Sequence, residues 1–271
     1  SLKLVSKTIA NIRIGEQIKR IVKIYQPKAI ITTFEGHPYE RIVYRMSREA
    51  LNSIYCIGYM HAGLSQYQHS VRRKLSNLYD PDQIMTPGKI SYNQIINSNN
   101  FINTKFSILG SHKNNSNIQT QSKFGSNNYN TFLVLSEGLL SECKLLLDFI
   151  IKCSKEFTKS KFIFRLHPYN RELLLKNLMT DYSISSLSKN IILSKNSLED
   201  DILISNFAIY RGSTAIINAV SKKLIPIYYS FSEDLTIDPL YEIKEGKYTV
   251  KNVLDLKKLH INLKNIDKSV L

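Results

Sequence analysis

The hydrophobic positions of this chain fall into short apolar runs separated by longer segments with helical periodicity. Isoleucines recur at helical spacing over Thr8–Tyr25 with Lys and Arg between them, which predicts an amphipathic helix. Pro27 ends this pattern, and the apolar, β-branched run KAIITTF at 28–34 predicts a buried strand. The same alternation then predicts a helix over 39–51, strands over 53–59 and 83–86, a helix that includes 92–96 and a strand over 106–109.

A polar, Asn- and Ser-rich stretch without periodicity occupies 111–130 and separates this series from a second one. Because such a stretch buries too little apolar surface to form an element, it predicts a linker over 116–130. The two series predict an α/β protein with two Rossmann-like parallel-sheet domains facing a cleft, over 1–115 and 131–271. The second series predicts strands over 131–135, 162–166, 191–193, 207–210 and 224–229, and helices over 141–157, 171–179, 198–204 and 214–220.

Composition narrows the class of protein. Of the 271 residues, 43% are hydrophobic and 22% are charged, which is usual for a globular protein and excludes a disordered one. No apolar run reaches the roughly 18 residues that a membrane span needs, and the sequence shows no charged-then-apolar secretory leader. The cysteines lack CxxC spacing, so we expect reduced, buried thiols in a cytosolic protein.

The charge is unusual, since 37 Lys and Arg against 22 Asp and Glu give a net charge of +15. Such a surface suits a polyanion, which includes nucleic acid, an anionic membrane and a phosphorylated substrate. An equally strong alternative is that the abundance of Asn, Ile and Lys explains most of the excess by composition alone.

Familiar catalytic signatures are absent from the sequence. There is no GxGxxG, GxxxxGK[ST], HExxH or GxSxG, which removes the main support for dinucleotide oxidoreductases, P-loop NTPases, zinc proteases and nucleophile-elbow hydrolases. We therefore expect the catalytic and binding residues at the carboxyl ends of the predicted strands, where parallel α/β sheets bind their ligands.

Polar residues follow the first predicted strand directly. Glu35, Gly36 and His37 come at its carboxyl end, where a carboxylate beside glycine can face a ligand and act as a general base. In the alternative interpretation, Glu35 or His37 only satisfies free N–H groups at the start of a helix, with Pro38 in its first turn.

A basic cluster follows the second predicted strand and contains His61, His69, Arg72 and Arg73. The arginines suit an anion or an acceptor, and the alternative is an ordinary solvated loop. No carboxylate or cysteine lies at a spacing that would complete a metal site with the histidines.

In the second domain, Arg165 and His167 leave a strand on the same side, and Pro168 follows. A histidine near the start of a helix can donate to phosphate, where the helix dipole also favours an anion. The alternative is a structural histidine.

The second cluster of this domain is Arg211-Gly212-Ser213-Thr214, which lies between a strand and a helix. Two hydroxyls and the first free N–H groups of the helix form an anion cradle, and Arg211 adds charge. Ser213 also suits an ordinary N-cap, and the two interpretations use the same geometry.

These motifs resemble those of a known family. The segments 165–168 (RLHP) and 211–215 (RGSTA), with Pro226 in the next strand, resemble the nucleotide-binding domain of GT-B glycosyltransferases, above all those that use CMP-activated acidic sugars. Phe34-Glu35-Gly36 is similar to the acidic-acidic-glycine motif of the same families. The resemblance covers about 29–229, and 33–88 also looks like surface-carbohydrate biosynthesis proteins of bacteria.

The chain departs from the family pattern at two positions. Phe34 stands where those families often have a first carboxylate, and Asn218 stands where many sugar-nucleotide enzymes carry the glutamate that binds a ribose. By resemblance, Asn218 argues against a UDP- or GDP-sugar donor. The first domain, with about four strands, is also shorter than a full GT-B acceptor domain.

The resemblance implies an inverting, metal-independent glycosyltransferase that moves Kdo, sialic acid or a related ulosonic acid from a CMP donor to a surface glycan of a bacterium, such as capsule or lipopolysaccharide. Glu35 would be the catalytic base, and hydrogen-bond donors would stabilise the leaving phosphate. The implied donor-binding residues are Gly36, Arg165, His167, Pro168, Arg211, Gly212, Ser213 and Thr214, and the acceptor-binding residues are His37, His61, His69 and Arg72.

The implied partners are a CMP-activated sugar and a glycan or glycolipid acceptor, with no specific nucleic acid and no cofactor. We expect a cytoplasmic protein, with peripheral contact to the anionic inner face of the membrane. Two alternatives stay open: a CDP-polyol phosphotransferase of GT-B fold, which would also use the His-Pro motif, and a non-catalytic module that binds a nucleotide or a polyanion.

Overall fold

The chain divides into two compact units, residues 1–117 (unit 1) and 118–271 (unit 2). Each unit contains one parallel β-sheet with helices between its strands. The predicted linker over 116–130 falls outside the described part of the chain except for its last residue, so its bounds stay a prediction. The computed structural model describes residues 2–98, 101, 103–111, 130–169, 171–181, 187–231 and 236–265.

Unit 1 has a four-stranded parallel sheet in which the strand order follows the chain order. Pro27 separates the long first helix from the first strand, as the sequence predicts. The elements are α1 (Leu2–Tyr25), β1 (Ala29–Thr33), α2 (Pro38–Ala50), β2 (Tyr55–Tyr59), α3 (His69–Arg72), β3 (Gln83–Thr86), α4 (Lys89–Ile96) and β4 (Lys105–Ile108).

Apolar side chains from the strands and helices of unit 1 form one buried core. Phe34 and Tyr44 are fully buried in it, and burial of each such side chain contributes roughly 1.5–3 kcal/mol. Helices α1 and α2 approach closely at Gly15, where a Cβ would lie 2.5 Å from Ile42 Cγ2. By contrast, β1 is the first strand of the sheet, and Ile31 on it is 65% exposed.

Unit 2 has a six-stranded parallel sheet with helices packed between its strands. The elements are β5 (Thr131–Leu135), α5 (Leu140–Glu156), β6 (Lys161–Arg165), α6 (Arg171–Asp181), β7 (Ile191–Leu193), α7 (Leu198–Leu203), β8 (Phe207–Tyr210), α8 (Ala215–Ser221), β9 (Ile225–Tyr229), β10 (Tyr248–Val250) and α9 (Val253–Asn265).

The strand order in unit 2 is β10-β9-β8-β5-β6-β7, so the chain builds outwards from β5 in one direction and then in the other. This order creates a topological switch point between β5 and β8, the position where doubly wound sheets bind ligands. The central strands are buried on both faces. The stacked rings of Phe132, Phe162 and Phe207, with centroids 4.8–5.1 Å apart, lie on one face, and Leu133 and Ala208 are buried on the other. Such continuous apolar strands are typical of parallel sheets covered on both sides.

The predicted fold class is confirmed, because both units are α/β with Rossmann-like parallel sheets. Four strands match the prediction to the residue: β3, β5, β7 and β8. The sequence analysis missed three elements, namely α3, β10 and α9, the first two of which have only four and three residues. In the part of the chain that the structure describes, no helix is both long and apolar enough to cross a membrane.

Candidate functional site

The turn after β1 places Glu35 at the carboxyl end of the sheet of unit 1. Gly36 has a φ of +77°, in the left-handed region that favours glycine. A Cβ on Gly36 would lie 2.2 Å from the carbonyl carbon and oxygen of Ser70. The Ser70 hydroxyl in turn donates to the Glu35 carbonyl oxygen at 2.8 Å. The turn is therefore pressed against the start of α3, and only glycine fits at this position.

A buried carboxylate that the sequence analysis missed, Glu40, fixes the backbone of this turn. It accepts hydrogen bonds from the N–H groups of Glu35 at 3.0 Å and His37 at 2.8 Å. Pro38 is the first residue of α2, so the interpretation as a helix start correctly describes the backbone. The spacing of Glu40 three residues after His37 is that of a capping box, which was the available signal. Because Glu40 satisfies these N–H groups, the Glu35 side chain is left for other contacts.

Glu35 lies between two histidines. Its Oε2 is 3.1 Å from His37 Nε2, and its Oε1 is 3.3 Å from His61 Nε2. His61 follows β2, which pairs with β1, so adjacent strand ends bring these residues together. The Glu35 side chain is 28% exposed. This Glu35 cluster (Glu35, His37 and His61) is an oriented carboxylate open to solvent, with two neighbouring groups that can take part in proton transfer.

The two other predicted acceptor residues have different surroundings. His69 is exposed at the first position of α3. Arg72 Nη1 donates to the carbonyl oxygens of Ser65, Gln66 and Gln68 at 3.0–3.1 Å, so it braces the preceding loop. The structure thus brings His37 and His61 to Glu35 and uses Arg72 to hold the loop between β2 and α3.

In unit 2, three loops meet at the switch point. Leu135 at the end of β5 pairs with Arg165 on β6 and with Tyr210 on β8, so the following loops start side by side. Glu137 in the first of these loops accepts a hydrogen bond from the Gly212 N–H at 2.8 Å. We name residues 136–138, 167–169 and 211–214 the switch-point loops.

His167 contributes a neutral donor to the switch-point loops. The Tyr169 N–H donates to His167 Nδ1 at 3.1 Å, which places the proton of the neutral ring on Nε2. Burial lowers the pKa of His167 and so favours this neutral form. The ring lies beside Gly138, where a Cβ would be 3.5 Å from Nδ1. His167 Nε2–H is thereby available to a ligand, and Pro168 follows it in the turn before α6.

The two predicted phosphate-binding arginines are engaged within the protein. Arg165 Nη1 donates at 2.8 Å to the fully buried Asp201 carboxylate. Arg211 is 1% exposed, and its Nε donates to Glu142 Oε2 at 2.6 Å while Nη1 donates to the Tyr229 carbonyl oxygen at 3.1 Å. Both guanidinium groups therefore hold the loops in place.

Ser213 and Thr214 occupy the turn between β8 and α8. The N-cap is Thr214, without a side-chain cap hydrogen bond, so the suggestion that Ser213 is the N-cap is not what the structure shows. Helix α8 has seven residues, which limits the contribution of its dipole. In the described part of the chain neither hydroxyl forms a hydrogen bond. Both are thus free to donate to a ligand.

The chemistry of the two places differs. Unit 1 presents an ionisable carboxylate with two imidazoles, which suits proton transfer. Unit 2 presents an imidazole N–H, two hydroxyls and a backbone amide, which suit the oxygens of phosphate. Among the described residues, no group of three or more His, Cys, Asp or Glu side chains could hold a metal ion.

Comparison with known proteins shows similarity at the level of structure. No protein-family model and no curated protein matches the sequence. The UDP-GlcNAc 2-epimerase of Methanocaldococcus jannaschii, solved with UDP-GlcNAc and UDP, matches with a TM-score of 0.59 and 14% identity over 95% of this chain and 74% of its own. S. aureus MnaA, solved with UDP, matches with a TM-score of 0.60 and 11% identity over 96% and 73%.

A glycotransferase of kitacinnamycin has the same general architecture, with a TM-score of 0.59 and 8% identity over 94% of this chain and 72% of its own. At such identities the matches show the fold alone. They confirm a GT-B-like fold, with two Rossmann-like parallel-sheet units, as the resemblance implied.

The prediction of a CMP-sugar donor is wrong. The matching epimerases are named for UDP-GlcNAc, and two were solved with UDP-GlcNAc, in one case also with UDP, while MnaA was solved with UDP. The physical reason is that hydrogen-bond donors such as those of the His-Pro and Ser-Thr motifs suit phosphate, which every nucleotide donor carries, so these motifs identify neither the base nor the sugar. Asn218 is a single half-buried side chain on α8 and does not exclude a UDP-sugar.

The more specific assignments of function depend on the CMP donor and are therefore wrong as well. The sialyltransferase and Kdo transferase functions rest on the same short motifs, and so does the CDP-polyol alternative. The sequence analysis also missed the partners that engage the two arginines, Asp201 and Glu142, which lie 36 and 69 residues away along the chain. Periodicity carries no signal for such distant pairs.

Proposed function

We propose that the protein is an enzyme that acts on a UDP-sugar and that the switch-point loops of unit 2 hold the nucleotide. Within unit 1, we propose Glu35 as an acid–base group. The observation that carries this proposal is the set of free donors at the switch point, namely His167 Nε2–H and the hydroxyls of Ser213 and Thr214. The UDP and UDP-GlcNAc named with a structurally similar epimerase, and the UDP named with MnaA, support the choice of nucleotide.

Neutral donors are well suited to a diphosphate. Each phosphate oxygen accepts hydrogen bonds from N–H and O–H groups, and bonds to a charged acceptor are about twice as strong as neutral ones. The net charge of +15 adds a long-range attraction for anions, which raises the rate of encounter. We therefore expect the geometry of the switch-point loops to determine the affinity for the nucleotide. The surface charge should raise the association rate.

The proton-transfer role of Glu35 is supported by its contacts. Both carboxylate oxygens lie within hydrogen-bond distance of an imidazole, and Glu40 and Gly36 fix the backbone beneath it. A carboxylate oriented in this way can accept a proton from a sugar group or return one to it.

Isothermal titration calorimetry of the purified chain with UDP-GlcNAc, UDP and CMP tests the nucleotide proposal. We expect UDP-GlcNAc to bind, and we expect His167→Ala and the double variant Ser213→Ala/Thr214→Ala each to weaken it about tenfold, since each removes hydrogen bonds to a charged ligand. Ser221→Ala is the matched control, because its hydroxyl bonds the Asn218 carbonyl oxygen at the other end of α8. Equal binding of CMP and UDP-GlcNAc, or a control that weakens binding as much as the site variants, would contradict the proposal.

A further inference from the structure

Glu137 is the one carboxylate in the described switch-point loops, and it lies where the proposed ligand would bind. Its Oε1 accepts the Gly212 N–H at 2.8 Å. A Cβ built on Gly212 would lie 2.7 Å from the carboxyl carbon and Oε1 of Glu137, so the side chain lies directly on this backbone. An amide at a switch point that could bind phosphate is thus occupied by an internal anion.

We propose that Glu137 sets the nucleotide affinity of unit 2, because its carboxylate holds the Gly212 amide until a phosphate oxygen displaces it. This inference rests on the proposed nucleotide site. A carboxylate and a phosphate both place anionic oxygens on N–H donors, so the two compete for the same hydrogen bond. They also repel each other when both are ionised.

The backbone of Glu137 is held by a contact that does not involve its side chain. Cys143 Sγ donates to the Glu137 carbonyl oxygen at 3.1 Å and holds the loop to α5. The charged groups nearby are Glu142 on α5 and Arg211 in the loop after β8, and these two are already paired. The Gly212 N–H is thus the hydrogen-bond donor that holds the Glu137 carboxylate, and Arg211 acts on it through its charge.

The direction of the pKa shift of Glu137 is consistent with a carboxylate that a phosphate can displace. Burial raises the pKa of Glu137; the Gly212 hydrogen bond opposes this shift, the Glu142 charge adds to it and the Arg211 charge opposes it. Protonation makes the side chain a poorer acceptor and removes its repulsion of phosphate. Nucleotide should consequently bind more tightly as the pH falls towards the raised pKa.

Calorimetric titration with UDP-GlcNAc tests this inference in Glu137→Ala and Glu137→Gln. We expect Glu137→Ala to tighten binding by about tenfold, the value of one competing hydrogen bond to a charged group. Glu137→Gln should give a smaller gain, because its amide oxygen can still accept from Gly212. The matched control is Glu172→Ala, which removes the same charge from an exposed position in the first turn of α6.

A second variant, at Gly212, tests whether the Glu137 carboxylate and the phosphate occupy the same position. Gly212→Ala keeps the N–H and adds a Cβ where the carboxylate and the phosphate would lie, so it should weaken binding also in the Glu137→Ala background. UDP-GlcNAc is the preferred probe for the pH series, since its esterified diphosphate lacks the second phosphate ionisation of free UDP. Any pH dependence that remains in Glu137→Gln is then assigned to His167.

The outcomes separate this inference from the proposed function. If the wild type binds UDP-GlcNAc and Glu137→Ala binds it equally well or more weakly, the inference is wrong. The proposed nucleotide site is not affected by that result. Equal tightening by Glu172→Ala also overturns it, because the effect would then be long-range charge. If neither the wild type nor Glu137→Ala binds a uridine nucleotide, both the inference and the proposed function fail. Thermal unfolding of each variant confirms that the chain is folded.

Discussion

The sheets of the two units differ in how their strands are laid down. In unit 2 the chain adds strands on both sides of β5, whereas in unit 1 the four strands follow one another in a single direction from β1. The central strand β5 is buried, but Ile31 on β1 is 65% exposed. Among the described strands, only the two-sided sheet of unit 2 has a switch point, where the loops that follow three strands start side by side.

The chemistry follows this difference. The Glu35 cluster uses the ends of two adjacent strands and presents ionisable groups to solvent. At the switch point of unit 2, Arg165 and Arg211 are paired with carboxylates of the same unit, and neutral donors are left for a ligand. The two sheets thus show that a strand-end histidine can lie beside a carboxylate, where it suits proton transfer, as His61 does, or be left as a neutral donor that suits phosphate, as His167 is.

The largest difference between the proposed roles of the two units is expected from the substitution Glu35→Gln. It is nearly isosteric and removes the proton acceptor, so turnover of a UDP-sugar should fall by about 10² to 10⁴-fold. Nucleotide affinity, measured by calorimetry, should not change, because the switch-point loops are intact. Glu16→Gln, an exposed carboxylate on α1, is the control. Wild-type turnover in Glu35→Gln would show that Glu35 is structural.

The second prediction concerns the internal role of Arg211. Replacing it with Ala leaves the Glu142 carboxylate without its partner and removes a buried guanidinium, which should destabilise unit 2 by about 3 to 5 kcal/mol. Urea unfolding followed by circular dichroism measures the change. The exposed Arg45–Glu49 pair of unit 1 is the control, and Arg45→Ala should have little effect. A stable Arg211→Ala with weakened nucleotide binding would instead indicate direct contact with the ligand.

The third prediction compares two glycines with positive φ. Gly36 and Gly246 have φ values of +77° and +70°, so alanine at either position costs about 1 to 2 kcal/mol in backbone strain. At Gly36 the added Cβ also meets the Ser70 backbone at 2.2 Å, whereas at Gly246 nothing lies within 4 Å. We therefore expect Gly36→Ala to lower the free energy of unfolding more than Gly246→Ala. Equal losses would contradict the packing of the turn against α3.

The smallest expected effect is a pH dependence from His167. Burial lowers the pKa of His167 in the folded protein below its ordinary value, so in the window between the two values the unfolded chain binds a proton that the folded chain does not. The stability present above the ordinary pKa is thus lost as the pH falls towards the lowered one. His167→Gln should remove this part of the pH dependence in urea unfolding, and an unchanged pH profile would contradict the assignment.

The sequence was sufficient for every described strand except β10 and for most helices, because apolar runs such as TFLVL at 131–135 are typical of buried parallel strands. It did not predict α9 or two short elements. Strand β10 has three residues and is defined by its pairing with β9, and α3 has four. Such elements exist because of tertiary contacts that propensity does not encode.

Within the site, the sequence identified strand-end residues but not their partners. Glu35, His37 and His61 were recognised as candidates, and the structure brings them together. The sequence predicts the arginines to be ligands for phosphate, because nothing in it shows that Arg165 meets Asp201. Glu137 follows β5 in the same way as the recognised candidates follow their strands, so its position was the signal that could have identified it.

Hydrogen–deuterium exchange with and without UDP-GlcNAc tests the central claim most directly, because it shows where the nucleotide binds. The account predicts that the ligand slows exchange of backbone amides in the switch-point loops, at 136–138, 167–169 and 211–214. Slower exchange confined to the turns of unit 1 around Glu35 and His61, with the switch-point loops unchanged while calorimetry shows binding, would contradict it.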